Sequence, residues 1–217
     1  MSDSLTIDAD ATRWSTGARD GLPLLVLLHG YGADEHDLFG LVPYLPEGIA
    51  VASVAAPLAP PWPAPGRSWY PIEGLNGRDP EGVTRAGRAF LAWLDAAAAD
   101  ASSVALLGFS QGAAVALQAL RLAPERFGAV VALSGYASPG ELPHDAALQE
   151  LRPSIFWGRG THDDVIPPPL VDHTAQWLPD HSDLVGRVYP GLTHSISEDE
   201  LLDVRVFLEK WKDAAGE

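Results

Sequence analysis

Apolar residues fall into short, nearly unbroken runs, separated by stretches in which they recur every three to four positions. Runs at 24–28 (LLVLL), 49–55, 104–107, 129–133, 154–157 and 184–189 are strand-length and rich in Val, Leu, Ile and Ala, and each reads as a strand. Between and after them, 83–99, 111–122, 169–177 and 197–211 show helical spacing or an Ala-rich, helix-favouring composition. Strands apolar on both faces, alternating with helices, predict a mostly parallel sheet covered on both sides, an α/β fold. No repeat or flexible linker divides the chain, so one domain over 1–217 is expected, with 1–20 either loose or an edge strand. The final helix has a marked start. Ser197, with Glu200 three residues on, has the spacing of a capping box, which assigns its acids to the helix end rather than to a site. One segment follows neither period. Residues 57–80, PLAPPWPAPGRSWYPIEGLNGRDP, are crowded with Pro and aromatic residues, and their length predicts a functional loop bordering a site rather than a connector.

Composition narrows the classes. A chain of 217 residues holds one full core, and 47% apolar with 20% charged residues is ordinary for a globular protein. The chain has no cysteine, which excludes disulfides, thiolate nucleophiles and thiolate metal sites. A net charge of −15 with scattered acids weighs against nucleic acid and anionic membranes as partners. The start, MSDSLTIDADATRW, lacks the basic-then-apolar pattern of a signal peptide, and no run reaches bilayer-spanning length. The expectation is a cytoplasmic protein without stable membrane insertion. A homo-oligomer is left open.

The sharpest local signal is GFSQG at 108–112, set between the 104–107 strand and the 111–122 helix. G-x-S-x-G in that setting is a nucleophile elbow, a strained turn that exposes the serine hydroxyl at the carboxyl end of a sheet. The competing reading is a tight loop in which Ser110 caps the helix. A catalytic serine needs a base, and the base an orienting acid, in the chain order Ser, Asp or Glu, His. After the 154–157 strand comes GRGTHDDVIPPP with Asp163 and Asp164, and after 184–189 comes PGLTHSIS. Of the seven histidines, only His194 lies between the last strand and the final helix. The developing oxyanion needs two backbone N–H donors, one just after the nucleophile and one from an early loop. Gln111 holds the first position, and Tyr31 in HGYG, directly after the 24–28 strand, is the candidate for the second. His29 reads as a buried structural residue. A metal centre at His162, Asp163, Asp164 and His173 has no helical His pair and no third converging ligand, so neither metal nor other cofactor is expected. Trp69, Tyr70 and Leu75 of the Pro-rich segment are candidates for an acyl wall, with Val165 and Ile166 opposite; Trp69 reads equally well as core.

LLHGYGADEHDL, GRSWY, GFSQGA, GTHDDVIP and YPGLTHSIS occur together in this order, over about residues 24–208. The set resembles the phospholipase/carboxylesterase family of α/β-hydrolases, which includes the acyl-protein thioesterases. The resemblance implies an α/β-hydrolase fold without a large lid domain, no cofactor, and hydrolysis of ester or thioester bonds in small or lipid acyl substrates. It implies a triad of Ser110, Asp163 and His194, choosing Asp163 because Gly160, Val165, Ile166 and Pro167 align with the family's G-x-x-D-P-V-V-P. The chain departs from the family at Asp164, where Pro is usual, and at Tyr31, where Leu is more usual. The expected activity is therefore that of a serine carboxylesterase. The alternatives are a lysophospholipase or long-chain acyl-protein thioesterase and, at greater remove, a hydrolase-fold binding protein without catalysis.

Overall fold

The computed structural model describes residues 5–61, 63–72 and 78–216. Its centre is a seven-stranded sheet in the order β1-β3-β2-β4-β5-β6-β7. The strands are β1 (Arg13–Trp14), β2 (Leu24–Leu28), β3 (Ala50–Val54), β4 (Val104–Phe109), β5 (Ala129–Leu133), β6 (Ser154–Gly160) and β7 (Asp183–Tyr189). All neighbours pair in parallel except β1, an antiparallel edge strand on β3. The helices are α1 (Pro80–Ala97), α2 (Gln111–Leu122), α3 (Asp145–Leu151), α4 (Pro168–His181) and α5 (Glu198–Ala215).

The uninterrupted apolar strands have their physical reason here. β2, β3 and β5 are buried at every residue because the sheet is sandwiched. One face packs on α1, α2, α3 and α4 through residues such as Val26, Leu106, Phe90, Leu117 and Leu178. The other packs on α5 and the 3-10 segment Leu38–Tyr44 through Leu27, Leu107, Phe156, Val204 and Phe207. β7, whose pattern was the most interrupted by polar residues, is the exposed edge. This is the α/β-hydrolase architecture, with no large lid among the described residues.

Two elements escape the sequence pattern. β1 has only two residues, too few for any period to register. α3 has seven, and what anchors it is remote in sequence: Asp145 in its first turn is clamped by the buried Arg121 of α2, at 2.9 and 2.7 Å. The start of α5 follows the capping-box spacing. Ser197 Oγ accepts the Glu200 N–H at 3.1 Å, the forward half of the capping box. The Glu200 carboxylate lies near the Ser197 N–H, which favours its ionised form, and is otherwise buried against β6, where a Cβ at Gly158 would overlap its Oε1.

The loops at the carboxyl ends of β2, β4, β6 and β7 lie at one edge of the sheet. Strand order reverses beside β2, because β3 lies on one side of it and β4 on the other. Open α/β sheets bind ligands outside the strand ends at such a reversal.

Candidate active site

At the end of β4 the chain turns into α2 within one residue. Ser110 sits there at φ 54° and ψ −114°, a left-handed conformation that costs a non-glycine residue energy and recurs at functional sites. The glycine at 112 is required by close approach, since a Cβ there would overlap the Leu28 carbonyl of β2. Ser110 occupies the helix N-cap position, yet its side chain makes no capping hydrogen bond. Its Oγ lies 2.8 Å from His194 Nε2, in the loop after β7. His194 Nδ1 lies 2.8 Å from Asp163 Oδ2, in the loop after β6. A histidine bonded to an ionised carboxylate at Nδ1 carries its proton there, which leaves Nε2 as acceptor for the serine hydroxyl. The Phe109 ring packs on the imidazole at 4.9 Å between centroids, a contact that sequence spacing gave no sign of.

Asp163 is held on both oxygens. Oδ1 accepts the backbone N–H of Val165 and Ile166 at 3.0 and 3.2 Å, while Oδ2 takes the histidine. Burial pushes its carboxyl pKa up; the His194 hydrogen bond and charge and the two backbone N–H groups outweigh that and hold it below the usual carboxylate value. Asp164 is exposed and makes no hydrogen bond or ion pair among the described residues. The two neighbours therefore differ completely in environment. Nor do His162, Asp164 and His173 gather around Asp163 as metal ligands; the one cluster of ligand type among the described residues is Asp34, Glu35 and His36, well exposed in part.

Of the two candidate N–H donors, Gln111 follows Ser110 directly and Tyr31 stands in the loop after β2, where a Cβ on the neighbouring Gly30 would lie 3.6 Å from Ser110 Cβ. Neither the Tyr31 nor the Gln111 backbone N–H has a hydrogen-bond partner among the described residues, although Gln111 is buried. A buried N–H without a partner, as at Gln111, is rare; Tyr31 is only half-buried. His29 lies buried under the loop. Its Nε2 accepts the Ala56 N–H at 3.1 Å, so Nδ1 carries the proton and donates to the Gly30 carbonyl at 2.7 Å. Burial lowers its pKa and keeps it neutral.

The acyl wall read from the sequence needs correction. Trp69 and Tyr70 are 0% and 1% exposed, so neither ring presents a face to an acyl group. Trp69 packs on His29 at 5.6 Å and donates its indole N–H to the His29 carbonyl, as a core residue does. The Tyr70 hydroxyl is paired with that of Tyr136 at 2.7 Å. Leu75 lies outside the described residues. Val165 is 45% exposed and Ile166 only 4%. Ile166 borders a cavity of about 230 Å³ between β5, β6 and α4, shared with Asp163, Ser134, Arg159 and Thr161. That cavity lies behind the acid and does not touch Ser110 or His194.

The sequence model of the phospholipase/carboxylesterase family matches residues 15–212. Acyl-protein thioesterase 1 of Saccharomyces cerevisiae is 38% identical over 107 residues, 48% of this chain and 47% of that protein. The match thus spans about half the length of that relative. Acyl-protein thioesterase 1 of Eremothecium gossypii is 27% identical over 208 residues, covering 87% of this chain and 88% of that protein. Among solved structures, esterase PE8 superposes with a TM-score of 0.76 at 27% identity, over 92% of this chain and 98% of that one. No helix among the described residues is long and apolar enough to cross a membrane.

Proposed function

The chain belongs to the phospholipase/carboxylesterase family of α/β-hydrolases, and from that premise we propose that it is a serine hydrolase cleaving carboxylic esters of small or acyl substrates. His194 Nε2 takes the proton of Ser110 as Oγ attacks the acyl carbonyl. Asp163 fixes the imidazole tautomer and stabilises the imidazolium without itself taking the proton. The N–H groups of Tyr31 and Gln111 receive the oxyanion. Collapse of the tetrahedral intermediate expels the alcohol, which takes its proton from His194, and leaves an acyl-enzyme. Water, deprotonated by the same histidine, then releases the acid and restores the serine. The observation that carries this reading is the unbroken pair of 2.8 Å contacts from Ser110 through His194 to Asp163, residues contributed by three separate loops.

The test is a p-nitrophenyl ester series together with a fluorophosphonate probe. Hydrolysis with a label on Ser110 alone supports the reading; a label on another serine, or no turnover of any chain length, overturns it. A palmitoyl thioester belongs in the same series, because the Saccharomyces and Eremothecium relatives are named for acyl-protein thioesterase activity. Preference for it over short oxygen esters would favour the long-chain thioesterase alternative.

A further inference from the structure

The two N–H donors invoked above stand on different loops, one after β2 and one after β4, so the covalent chain does not fix their separation. One short stretch touches both. The backbone of Arg67 pairs with the loop after β2 in both directions: its carbonyl accepts the Gly32 N–H at 2.9 Å, and its N–H donates to Ala33 at 2.8 Å. The approach is close enough that a Cβ on Gly66, at φ +69°, would overlap the Gly32 carbonyl. Two residues on, the Trp69 indole N–H donates to the His29 carbonyl at 2.9 Å. Residues 29, 32 and 33 are thereby tied down, with Tyr31 between them.

The other edge of the same stretch is gripped by Gln111. Its Oε1 accepts the Trp69 backbone N–H at 2.8 Å, and its Nε2 donates to the Tyr70 carbonyl at 2.7 Å. Ser68 Oγ donates to that same carbonyl at 2.7 Å and lies 3.3–3.4 Å from both ends of the amide. The amide is buried and completes a two-point contact that only a group with one donor and one acceptor in a plane can make.

We propose that residues 67–70, latched by the Gln111 side chain, are the positioning element of the oxyanion hole, holding the Tyr31 and Gln111 N–H groups at one fixed separation. The inference rests on the hydrolase reading above and deepens it. Gln111 then has two separable parts. Its backbone N–H faces the substrate oxygen, and its side chain, which touches no reacting atom, is a positioning group. Misplacing a catalytic group by about 1 Å costs on the order of 10² in rate. Because the carbonyl oxygen moves into the hole only as the oxyanion develops, that loss falls on kcat rather than KM.

The experiment compares the full chain with Gln111→Glu, Gln111→Met and Trp69→Phe on one short p-nitrophenyl ester. Glu keeps the acceptor but sets a carboxylate against the Tyr70 carbonyl; Met keeps the volume and removes both hydrogen bonds. Trp69→Phe removes the indole donor to His29 and leaves a small void in the core. We expect kcat to fall roughly 30- to 300-fold for both Gln111 variants and about 3- to 10-fold for Trp69→Phe, with KM within about twofold. The pH midpoint of kcat/KM should not move, because the Ser110–His194–Asp163 contacts are untouched. A purely structural lesion would instead lower the active fraction titrated by the fluorophosphonate and leave kcat per active site unchanged, which overturns the proposal. So does a folded Gln111 variant with wild-type kcat, or one in which KM alone rises. Should a Gln111 variant fail to fold, Trp69→Phe carries the test on the same criteria. If the wild-type chain neither hydrolyses esters nor labels at Ser110, the failure belongs to the hydrolase reading instead.

Discussion

The two sides of Ser110 solve one problem, placing polar atoms to within a fraction of an ångström, by opposite means. On one side His194 and Asp163 form a relay of side chains, and each link is a single hydrogen bond. On the proposed oxyanion side no side chain touches a reacting atom. The proposed donors are backbone N–H groups of an irregular loop and a helix start, held by a distributed lattice through 29–33, 67–70 and the Gln111 amide. A relay is broken by one substitution. A lattice has no single member whose removal abolishes it, so its losses are graded. The comparison therefore orders the expected effects of mutation.

The largest belongs to the relay's origin. Ser110→Ala removes the nucleophile, and loss on the order of 10⁶ in kcat is expected, as for serine hydrolases built on such a triad. The residual rate would come from the oxyanion side alone, so the variant measures what the lattice contributes unaided. Residual turnover within about tenfold of wild type would remove the relay from the mechanism.

Next is the choice between neighbouring carboxylates. Asp163→Asn keeps the shape but favours the wrong imidazole tautomer, and a loss of about 10²–10⁴ in kcat is expected. Asp164, exposed and without a partner among the described residues, should cost no more than about tenfold as Asn, through a weaker field at the histidine. Kinetics of the two variants on one short ester decide this. A more damaged Asp164→Asn reverses the assignment.

The same division explains what could be read from the chain. The relay was legible because its chemistry resides in side-chain types whose order along the sequence is informative: a serine in an elbow, then an acid, then a histidine, each after a strand. Five of the six longer strands, β2 to β6, were legible because they are buried on both faces and so nearly free of polar residues. The lattice was not. Backbone N–H groups carry no residue signature, and Gln111, Ser68 and Gly66 make their contacts across 33–43 positions of chain that no local period reports. Trp69 shows the cost. Its place in a Pro-rich, irregular segment left pocket wall and core equally open, and the structure puts its ring in the core and its N–H on His29.

That correction can be tested by stability rather than rate. Trp69→Ala leaves a void among buried residues and should destabilise the fold by about 3–5 kcal/mol, as for other large-to-small core changes. Urea melts read the loss directly. The ratio of butyrate to acetate ester turnover, taken on the remaining folded enzyme, should stay within about twofold of wild type. A stable variant with a shifted chain-length preference would restore Trp69 to the acyl wall.

The smallest effect contrasts a paired carboxylate with an unpaired one. Asp163 is hydrogen-bonded on both oxygens and held ionised, with its pKa below the usual value. Its contribution to stability is present above the unfolded-state pKa and is lost as pH falls through the folded one. Glu200, one loop and one helix turn beyond His194, is 0% exposed, and its carboxylate has no ion-pair partner among the described residues. Burial raises its pKa from 4.5 to about 7, the nearby Ser197 N–H opposes the rise, and Asp203 on the same helix adds to it; Tyr189 of β7 also faces it. The sign is then opposite to that of Asp163. Between pH 4.5 and 7 the folded state holds a proton that the unfolded state has released, so stability from this group declines as pH rises through that window and levels off above it. The full span corresponds to an upper bound on the order of 3 kcal/mol at about 1.4 kcal/mol per pH unit. Glu200→Gln keeps the shape and removes the titration, while burying an amide N–H₂ that itself lacks an acceptor, at about 1–3 kcal/mol. The two nearly cancel at pH 8, so the variant should match or slightly exceed wild type there and fall below it at pH 5. Paired thermal melts at those two pH values read the difference of differences, from which the constant amide cost drops out. An identical gap at both pH values would mean that Glu200 ionises as freely as a surface residue, and the contrast with Asp163 would be lost.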